Sequence, residues 1–261
     1  MNKKFTELAK KSKVIVIKVG SNILVNEKHV LRKKWLTSLI EDVQKLQKKG
    51  SKIIIVSSGA IALGRNILSK KKFSNLHEKQ AAASIGQIQL SQQWQKAFAK
   101  FNIQSSQILI TAEDLNERRK YLNIRNTIYS LMDLNVVPII NENDTTSTEE
   151  IRFGDNDKLS AMIANALSAE LLILLSDVNG LYTDNPKKST DAKLITSVEE
   201  VNQEIEKYID KDLSEFGSGG MLAKVNAAKL CIQSGSTMII SNGLVKNPLG
   251  NIRPTSSTWF H

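Results

Sequence analysis

Disulfides, membrane spans and secretion signals are all missing from this sequence. Cys231 is the single cysteine, so no intramolecular disulfide can form, and its apolar surroundings predict a core residue in a reducing compartment. No apolar run approaches the roughly 18 residues that a membrane-spanning helix needs. The basic N-terminus MNKKFTELAKKSK also lacks the apolar segment of a signal peptide. We therefore expect a cytoplasmic protein without a membrane segment.

Aromatic residues and histidines are also scarce, while lysine is abundant. Aromatic residues make up 5% of the chain, none of the three histidines lies in a recognisable motif, and the formal net charge is +10. Clustered Lys and Arg would favour nucleic-acid binding, but here the lysines occur in short scattered groups with few aromatic residues between them. A solvated lysine-rich surface is the preferred interpretation, with a non-catalytic basic RNA-binding protein as an alternative.

Buried strands alternate with helices along the whole chain. Apolar β-branched runs such as Val14–Ser21, which ends in a glycine turn, and Lys52–Val56 are each followed by a segment with helical spacing. The longest predicted helix, Gln80–Phe101, is broken at most at Gly86. Alternation of this kind predicts a mainly parallel sheet with helices on both faces and ligands at the carboxyl ends of the strands.

A glycine-rich stretch, Phe216–Lys224, runs directly into a predicted helix. Its glycines allow close approach of a ligand, and the free N–H groups of the helix start attract anions. Lys224 lies about one helical turn further on, so its ammonium group can return to the same point and bind phosphate. The spacing matches neither a Walker A loop nor a dinucleotide fingerprint. The alternative is an ordinary glycine-rich helix start with a surface lysine.

Two other strand ends carry polar residues. Lys18 lies inside the buried run Val14–Ser21, where a lysine is unfavourable unless it faces an anion in a cleft. Ser57–Ala60 follows the second strand and would present hydroxyl and N–H groups to an anion such as a carboxylate. An edge-strand lysine and a capped crossover loop are the respective alternatives.

Acidic residues are concentrated between Asn141 and Asp157. This segment carries six carboxylates and one basic residue, Arg152. On a chain of net positive charge, such local acidity favours binding of a metal ion or a cationic amine. Alternatively, Asp157 only caps the helix that follows it.

Taken together, five motifs closely resemble the amino acid kinase superfamily and, within it, the glutamate 5-kinases. They occur in the family's order and span nearly the whole chain: VIKVGS at 16–21, VSSGAIALGR at 56–65, NEND at 141–144, FGDND at 153–157 and GSGGM at 217–221. The resemblance implies a three-layer αβα fold and transfer of the γ-phosphoryl group of ATP to the side-chain carboxylate of L-glutamate, the first step of proline synthesis. It also implies Mg²⁺ as the metal, without indicating its ligands.

Site residues follow from matching positions in these motifs. Catalytic roles are implied for Lys18, which would contact the transferring phosphoryl group, and for Lys224 at the nucleotide site. The acceptor site would comprise Ser58, Gly59, Asp144 and Asn156, with Asp157 near the substrate and metal. Besides the two lysines, the nucleotide site would comprise Ser176, Asp177, Ser218, Gly219, Gly220, Met221, Leu222 and Ala223.

The chemistry of the acceptor agrees with this assignment. A glutamate side chain has a reference pKa near 4.3, so the nucleophile is already ionised and needs no general base. The obstacle is instead the repulsion between two anions, which Lys18, Lys224 and Mg²⁺ would offset. Asp144 could pair with the α-ammonium group of the substrate, which favours glutamate over an N-acetylated acceptor.

Some positions depart from the family pattern. Ser176 and Ser218 replace threonines and keep a hydroxyl, whereas Asn179 and Asn185 stand where aspartates are frequent, so their roles are open. The sequence predicts one kinase domain, with an acceptor part at about 1–168 and a nucleotide part at about 169–261, and no room for the C-terminal PUA domain of longer members.

The resemblance also implies partners and alternatives. Expected partners are L-glutamate, proline as feedback inhibitor, glutamyl phosphate reductase as a functional partner and further copies of the same chain, but not nucleic acid. The alternative within the superfamily is a sister kinase that acts on N-acetylglutamate, aspartate, carbamate or UMP.

Overall fold

A central β-sheet organises the fold. The computed structural model describes residues 1–70, 72–147, 155–186, 188–213 and 220–261, without the side chains of 155 and 209–213. Within these residues the sheet has eight strands in the order β3-β4-β2-β1-β5-β7-β8-β6. The strands are β1 Val14–Val19, β2 Lys52–Ser57, β3 Ser105–Ile110, β4 Val137–Glu142, β5 Leu171–Ser176, β6 Ser197–Val198, β7 Thr237–Asn242 and β8 Ser257–Phe260. All neighbouring strands are parallel except β7 and β8.

Helices connect the strands and cover both faces of the sheet. They are α1 Lys3–Lys11, α2 Ser21–Leu24, α3 Lys33–Gln47, α4 Ala60–Ile67, α5 Leu76–Ala99, α6 Arg118–Asp133, α7 Asp155–Ala166, α8 Gln203–Leu213 and α9 Gly220–Gln233, with a 3₁₀ turn at Pro254–Ser256. The predicted class, an αβα sandwich with a mainly parallel sheet, is confirmed.

Side-chain alternation along the strands divides the core into two layers. Ile15 and Ile17 of β1 pack with helices α1 to α5 on one face. Val16 packs with α6 to α9 on the other face. Because successive side chains of a strand point to opposite faces, Lys18 lies on the same face as Val16. It therefore points toward the layer that contains α7 and α9.

Helix α5 is continuous through Gly86, where a break was conceivable from the sequence. A Cβ atom at Gly86 would lie 1.9 Å from Ala60 O, and one at Gly64 would lie 1.8 Å from Ala82 O. The two glycines therefore let the backbones of α4 and α5 touch, and this contact offsets the low helix propensity of glycine. As a result, α5 is fixed directly beside the loop that precedes α4.

The sequence analysis identified no strand at the C-terminal end, where Ser257–Phe260 forms strand β8, antiparallel to β7. Trp259 and Phe260 are 2% and 0% exposed, so the strand is held by burial as well as by pairing. Cys231 is a core residue, as predicted, and burial raises the pKa of its thiol to about 12. No helix among the described residues is long and apolar enough to cross a membrane.

Candidate active site

Polar side chains from separate elements meet at one edge of the sheet. Parallel pairing of β1, β2, β4, β5 and β7 brings their carboxyl ends to the same edge. Lys18, Ser58 and Ser176 lie at or just after three of these ends. In open α/β sheets this edge is where ligands bind. Residues that are far apart in the sequence thus lie at the same edge of the sheet.

The centre of the site is a buried carboxylate between two lysines. Asp157 Oδ1 lies 2.5 Å from Lys18 Nζ, and Asp157 Oδ2 lies 3.0 Å from Lys224 Nζ. The side chain of Asp157 is 1% exposed, and those of Lys18 and Lys224 are 9% and 13% exposed. Each oxygen of the carboxylate therefore serves one ammonium group, and the three groups together carry a net charge of +1.

The position of α7 explains this arrangement. Asp157 lies in the first turn of α7, and that helix packs against both β1, which carries Lys18, and α9, which carries Lys224. The first turn of a helix also stabilises negative charge. The alternative that Asp157 is merely a helix cap is therefore wrong, because it lies inside α7 and its carboxylate binds the two lysines.

The two lysines keep Asp157 ionised. Burial alone would raise the pKa of this carboxyl group, but the opposing charges and hydrogen bonds of Lys18 and Lys224 outweigh that effect and lower the pKa. The carboxylate therefore stays negative at neutral pH and fixes both ammonium groups. Gly20 adds room beside them, since even a Cβ atom there would lie 3.7 Å from Lys18 Nζ.

Lys224 returns toward the glycine-rich segment, as its spacing predicted. Its ammonium group also donates a hydrogen bond to Gly220 O at 3.3 Å, one turn earlier in α9. Met221, Leu222 and Ala223 lie in the same first turn and are half-buried. Ser218 and Gly219, which were also predicted to bind nucleotide, lie outside the described residues.

A set of uncharged polar groups lies beside the triad. Asn156, the neighbour of Asp157, donates from Nδ2 to Ser58 Oγ at 2.9 Å and to Asn141 Oδ1 at 3.1 Å. Gly59 follows with φ +114, a conformation that other residues rarely adopt, and immediately precedes α4. The fold thus brings Ser58, Gly59 and Asn156 together, next to Asp157.

Asp144 lies in the turn that follows β4, and its side chain is half-buried. Thr146 and Ser147 N–H groups both donate to Asn143 O, which gives this turn a helical shape. The turn therefore starts at the same sheet edge as the rest of the site. The predicted pairing of Asp144 with a substrate amine stays a prediction.

Ser176 is the last residue of β5, and Asp177 follows it directly. Ser176 is buried and its hydroxyl donates to Asp177 Oδ1 at 3.3 Å, while Asn22 Nδ2 donates to Asp177 Oδ2 at 3.4 Å. Asn179, which replaces a frequent aspartate, accepts from Asn242 Nδ2 at 3.2 Å. This amide therefore joins the ends of β5 and β7 without a charge.

Sequence reasoning singled out Asn141 only as part of a motif and missed Gln87, Asn22 and Asn242 altogether. Asn141 is 3% exposed and joins Asn156 to Gln87 of α5. Gln87 lies in the middle of α5 and is separated from Asn141 by 54 positions. No local pattern signals such a contact, so only the fold reveals it.

Comparisons with known proteins agree with this architecture. Residues 13–242 match the sequence profile of the amino acid kinase family. A glutamate 5-kinase of Pelagibacter ubique is 49% identical over 253 residues, which cover 96% of this chain and 69% of that protein. A glutamate 5-kinase of Agrobacterium fabrum is 46% identical over 248 residues, which cover 94% of this chain and 64% of that protein. The chain thus spans about two thirds of the length of these curated relatives.

The fold is also found in distant solved structures. A carbamate kinase from Giardia lamblia bound to AMP-PNP superposes with a TM-score of 0.65 at 17% identity, covering 96% of this chain and 99% of that one. The chain belongs to the amino acid kinase family. Within that family, the two curated relatives described above, which it matches along nearly its whole length, are glutamate 5-kinases.

Proposed function

We propose that this chain transfers the γ-phosphoryl group of ATP to the side-chain carboxylate of L-glutamate, forming L-glutamyl 5-phosphate as the first step of proline synthesis. The observation that carries the proposal is the buried Lys18–Asp157–Lys224 triad, with Ser58 and Asn156 beside it. The identity to named glutamate 5-kinases over at least 94% of the chain supports the choice of acceptor.

The triad suits a reaction between two anions. The glutamate side chain is ionised at neutral pH and attacks phosphorus directly, so the protein must supply positive charge rather than a base. Lys18 contacts the transferring phosphoryl group, and Lys224 approaches from the nucleotide side. Because Asp157 holds both ammonium groups in place beforehand, little reorganisation is needed when charge shifts in the transition state.

The acceptor is held at its amino-acid end. Ser58 and the N–H groups near Gly59, at the start of α4, bind the α-carboxylate, because a helix N-terminus favours an anion. Asp144 pairs with the α-ammonium group, and Asn156 adds a hydrogen bond. With its α-carboxylate and α-ammonium groups bound in this way, glutamate points its side-chain carboxylate toward Lys18.

The nucleotide is bound by the glycine-rich segment 218–224 and by Ser176 and Asp177. The described residues contain no group of three or more His, Cys, Asp or Glu side chains that could hold a metal ion. Mg²⁺ binds largely through substrate phosphates and waters and needs only one or two carboxylates. Asp177 is an exposed carboxylate at the same sheet edge and could supply one of them. Bound in this way, Mg²⁺ would offset the charge of the triphosphate.

Proline is proposed to inhibit by occupying the glutamate site. It has the same α-carboxylate and a cationic α-amine, but it has no side-chain carboxylate to accept phosphate. The segment 68–78, which follows α4, is proposed to help retain it, with Lys70 and Glu78 paired at 2.7 Å. Initial rates at varied glutamate test this idea. Excess glutamate should relieve the inhibition, and inhibition that persists would mean that proline binds elsewhere.

The remaining expectations are also proposals. Acceptor binding is assigned to about 1–168 and nucleotide binding to about 169–261, in a cytoplasmic homo-oligomer. Glutamyl phosphate reductase is a functional partner because an acyl phosphate is labile and needs a consuming enzyme. Nucleic acid is not an expected partner.

The test of the proposed function is ADP release with a panel of acceptors. L-Glutamate should give turnover, while N-acetyl-L-glutamate, L-aspartate, carbamate and UMP should give little. Absence of glutamate-dependent turnover, or faster turnover with another acceptor, would refute the assignment.

A further inference from the structure

A chain of hydrogen-bonded amides leads from helix α5 into the acceptor site. Asn141 Nδ2 donates to Gln87 Oε1 at 2.8 Å, and Asn156 Nδ2 donates to Asn141 Oδ1 at 3.1 Å. The second hydrogen of Asn156 Nδ2 goes to Ser58 Oγ at 2.9 Å. Two amides and one hydroxyl of the site are thus connected to a glutamine that the proposed mechanism does not use.

One backbone group determines the orientation of each side-chain amide in this series of hydrogen bonds. The N–H of Glu142 lies 2.9 Å from Asn141 Oδ1, and a backbone N–H can only donate. The atom of Asn141 that it contacts must therefore be oxygen, and the other atom must be the nitrogen that donates to Gln87. The same logic requires that Asn156 turns its nitrogen toward Asn141.

Asn156 consequently has only an oxygen left to offer. Both hydrogens of its Nδ2 are used, while Oδ1 is buried and accepts no hydrogen bond from the part of the chain that the structure describes. A buried acceptor without a donor is unfavourable, so a ligand donor at this position would be stabilising. An ammonium group is the donor that gains most from a neutral carbonyl oxygen in a buried site.

We infer that Gln87 is a positioning residue that, through Asn141, holds the amide of Asn156 with its carbonyl oxygen toward the α-ammonium group of the amino-acid acceptor. This inference rests on the proposed function and deepens it, because it assigns specificity for a free amine to a residue outside the acceptor site. Asn141 is 3% exposed, so an unpaired Nδ2 there could not turn to water without moving Asn156 as well.

Gln87 is itself held firmly. Its Nε2 donates to Ser91 Oγ at 3.2 Å and to Gln107 Oε1 at 3.3 Å, which leaves Oε1 for Asn141. The preceding residue, Gly86, lies against the backbone of Ala60. Because this contact fixes the helix beside the site, Gln87 Oε1 stays in the position from which it accepts the hydrogen bond of Asn141.

Three variants test the inference. Gln87→Leu removes the acceptor for Asn141, whereas Gln87→Glu replaces the amide oxygen by a carboxylate oxygen that can still accept from Asn141. Gln92→Leu is the matched control, because Gln92 is an exposed glutamine on the same helix outside the hydrogen-bond chain. Each variant is assayed for KM with L-glutamate, for KM with ATP, for kcat, and for inhibition by glutarate, which resembles glutamate but has no amine.

We expect Gln87→Leu to raise KM for L-glutamate about 10-fold, the effect of losing one hydrogen bond to a charged group. KM for ATP and kcat should stay within about twofold, and inhibition by glutarate should be unchanged, since it has no amine to be recognised. Gln92→Leu should behave like the wild type, and Gln87→Glu, which keeps an acceptor for Asn141 but loses both Nε2 hydrogen bonds, should raise KM for L-glutamate less than Gln87→Leu does. In an Asn156→Ala background, Gln87→Leu should add little, because both changes remove the same interaction.

Several results would overturn the inference. One is an unchanged KM for L-glutamate in Gln87→Leu, and another is inhibition by glutarate that weakens as much as glutamate binding does. The others are a rise in KM for L-glutamate in Gln87→Glu equal to that in Gln87→Leu, and effects of Gln87→Leu and Asn156→Ala on this KM that are fully additive. Failure of the proposed function would look different, because the wild type itself would then show no glutamate-dependent turnover. An active wild type with an unaffected Gln87→Leu variant would contradict only the inference.

Discussion

The replacement Asp157→Asn perturbs the centre of the site without changing its shape. The carboxylate lies 2.5 Å from Lys18 Nζ and 3.0 Å from Lys224 Nζ. An amide keeps one oxygen but presents an NH₂ group to the other ammonium, so one contact becomes repulsive. The net charge of the three groups rises from +1 to +2, and both lysines lose the group that holds them.

The expected loss of stability is large for a single substitution. Removing one partner of a buried ion pair destabilises a protein by about 3–5 kcal/mol, because the remaining charge stays buried without compensation. Asp157 is 1% exposed at its side chain, so solvent screening of the original pairs is weak. The lysines are also no longer positioned for the transition state, so kcat should fall about 10²-fold or more. KM for ATP should change much less, since the added positive charge still attracts the triphosphate.

The difference in stability should depend on pH with a defined sign. Because the pKa of Asp157 is lowered in the folded protein, its ionisation stabilises the fold above the unfolded pKa of about 3.9. This contribution is lost as the pH falls through the folded pKa. The difference in free energy of unfolding between wild type and Asp157→Asn should therefore be largest at neutral pH and should decrease below about pH 4.

Urea unfolding followed by circular dichroism, combined with steady-state kinetics, measures these effects. Asp42→Asn is the matched control, since Asp42 is also fully buried and accepts from Gly250 N at 2.9 Å, but lies in α3 outside the site. It should lose stability without a change in kcat. An Asp157→Asn variant with less than about 1 kcal/mol of destabilisation and a normal kcat would refute the reasoning, because buried ion pairs lose more than this when broken.

Three further predictions follow from the same geometry. Lys18→Ala and Lys224→Ala should each lower kcat by about 10²-fold or more in the ADP-release assay, and a change confined to KM would contradict their proposed roles. Asp144→Ala should raise KM for L-glutamate much more than KM for ATP, and equal effects on both would contradict the division of the site. Gly86→Ala should destabilise the fold by several kcal/mol in thermal or urea unfolding, because its Cβ would lie 1.9 Å from Ala60 O and backbone cannot yield easily. A variant as stable as the wild type would mean that α4 and α5 are not in backbone contact.

Much of the sheet could be predicted from the sequence, because its inner strands are continuous apolar runs. The run containing Lys18 became β1 at Val14–Val19, and burial of the strand directs that lysine toward α7 and α9. Strand β8 was missed because its four residues are stabilised by antiparallel pairing with β7 and by burial of Trp259, both of which depend on tertiary structure.

Some features of the site also follow from local sequence, whereas others depend on tertiary structure. Lys224 and its return to Gly220 follow from helix geometry alone, since the two positions are one turn apart. The bridging role of Asp157 requires that α7 lies between β1 and α9, which no local pattern encodes. The contact between Gln87 and Asn141 likewise depends on how α5 crosses α4 at Gly86.

The most direct test of the account is identification of the phosphorylated group. The purified chain is incubated with ATP, Mg²⁺, L-glutamate and hydroxylamine, which converts an acyl phosphate into a hydroxamate that mass spectrometry can assign. The account predicts the hydroxamate on the side-chain carboxyl group of glutamate, formed in proportion to ADP and nearly absent in Lys18→Ala. A hydroxamate on the α-carboxyl group, or ADP released without any hydroxamate, would contradict it.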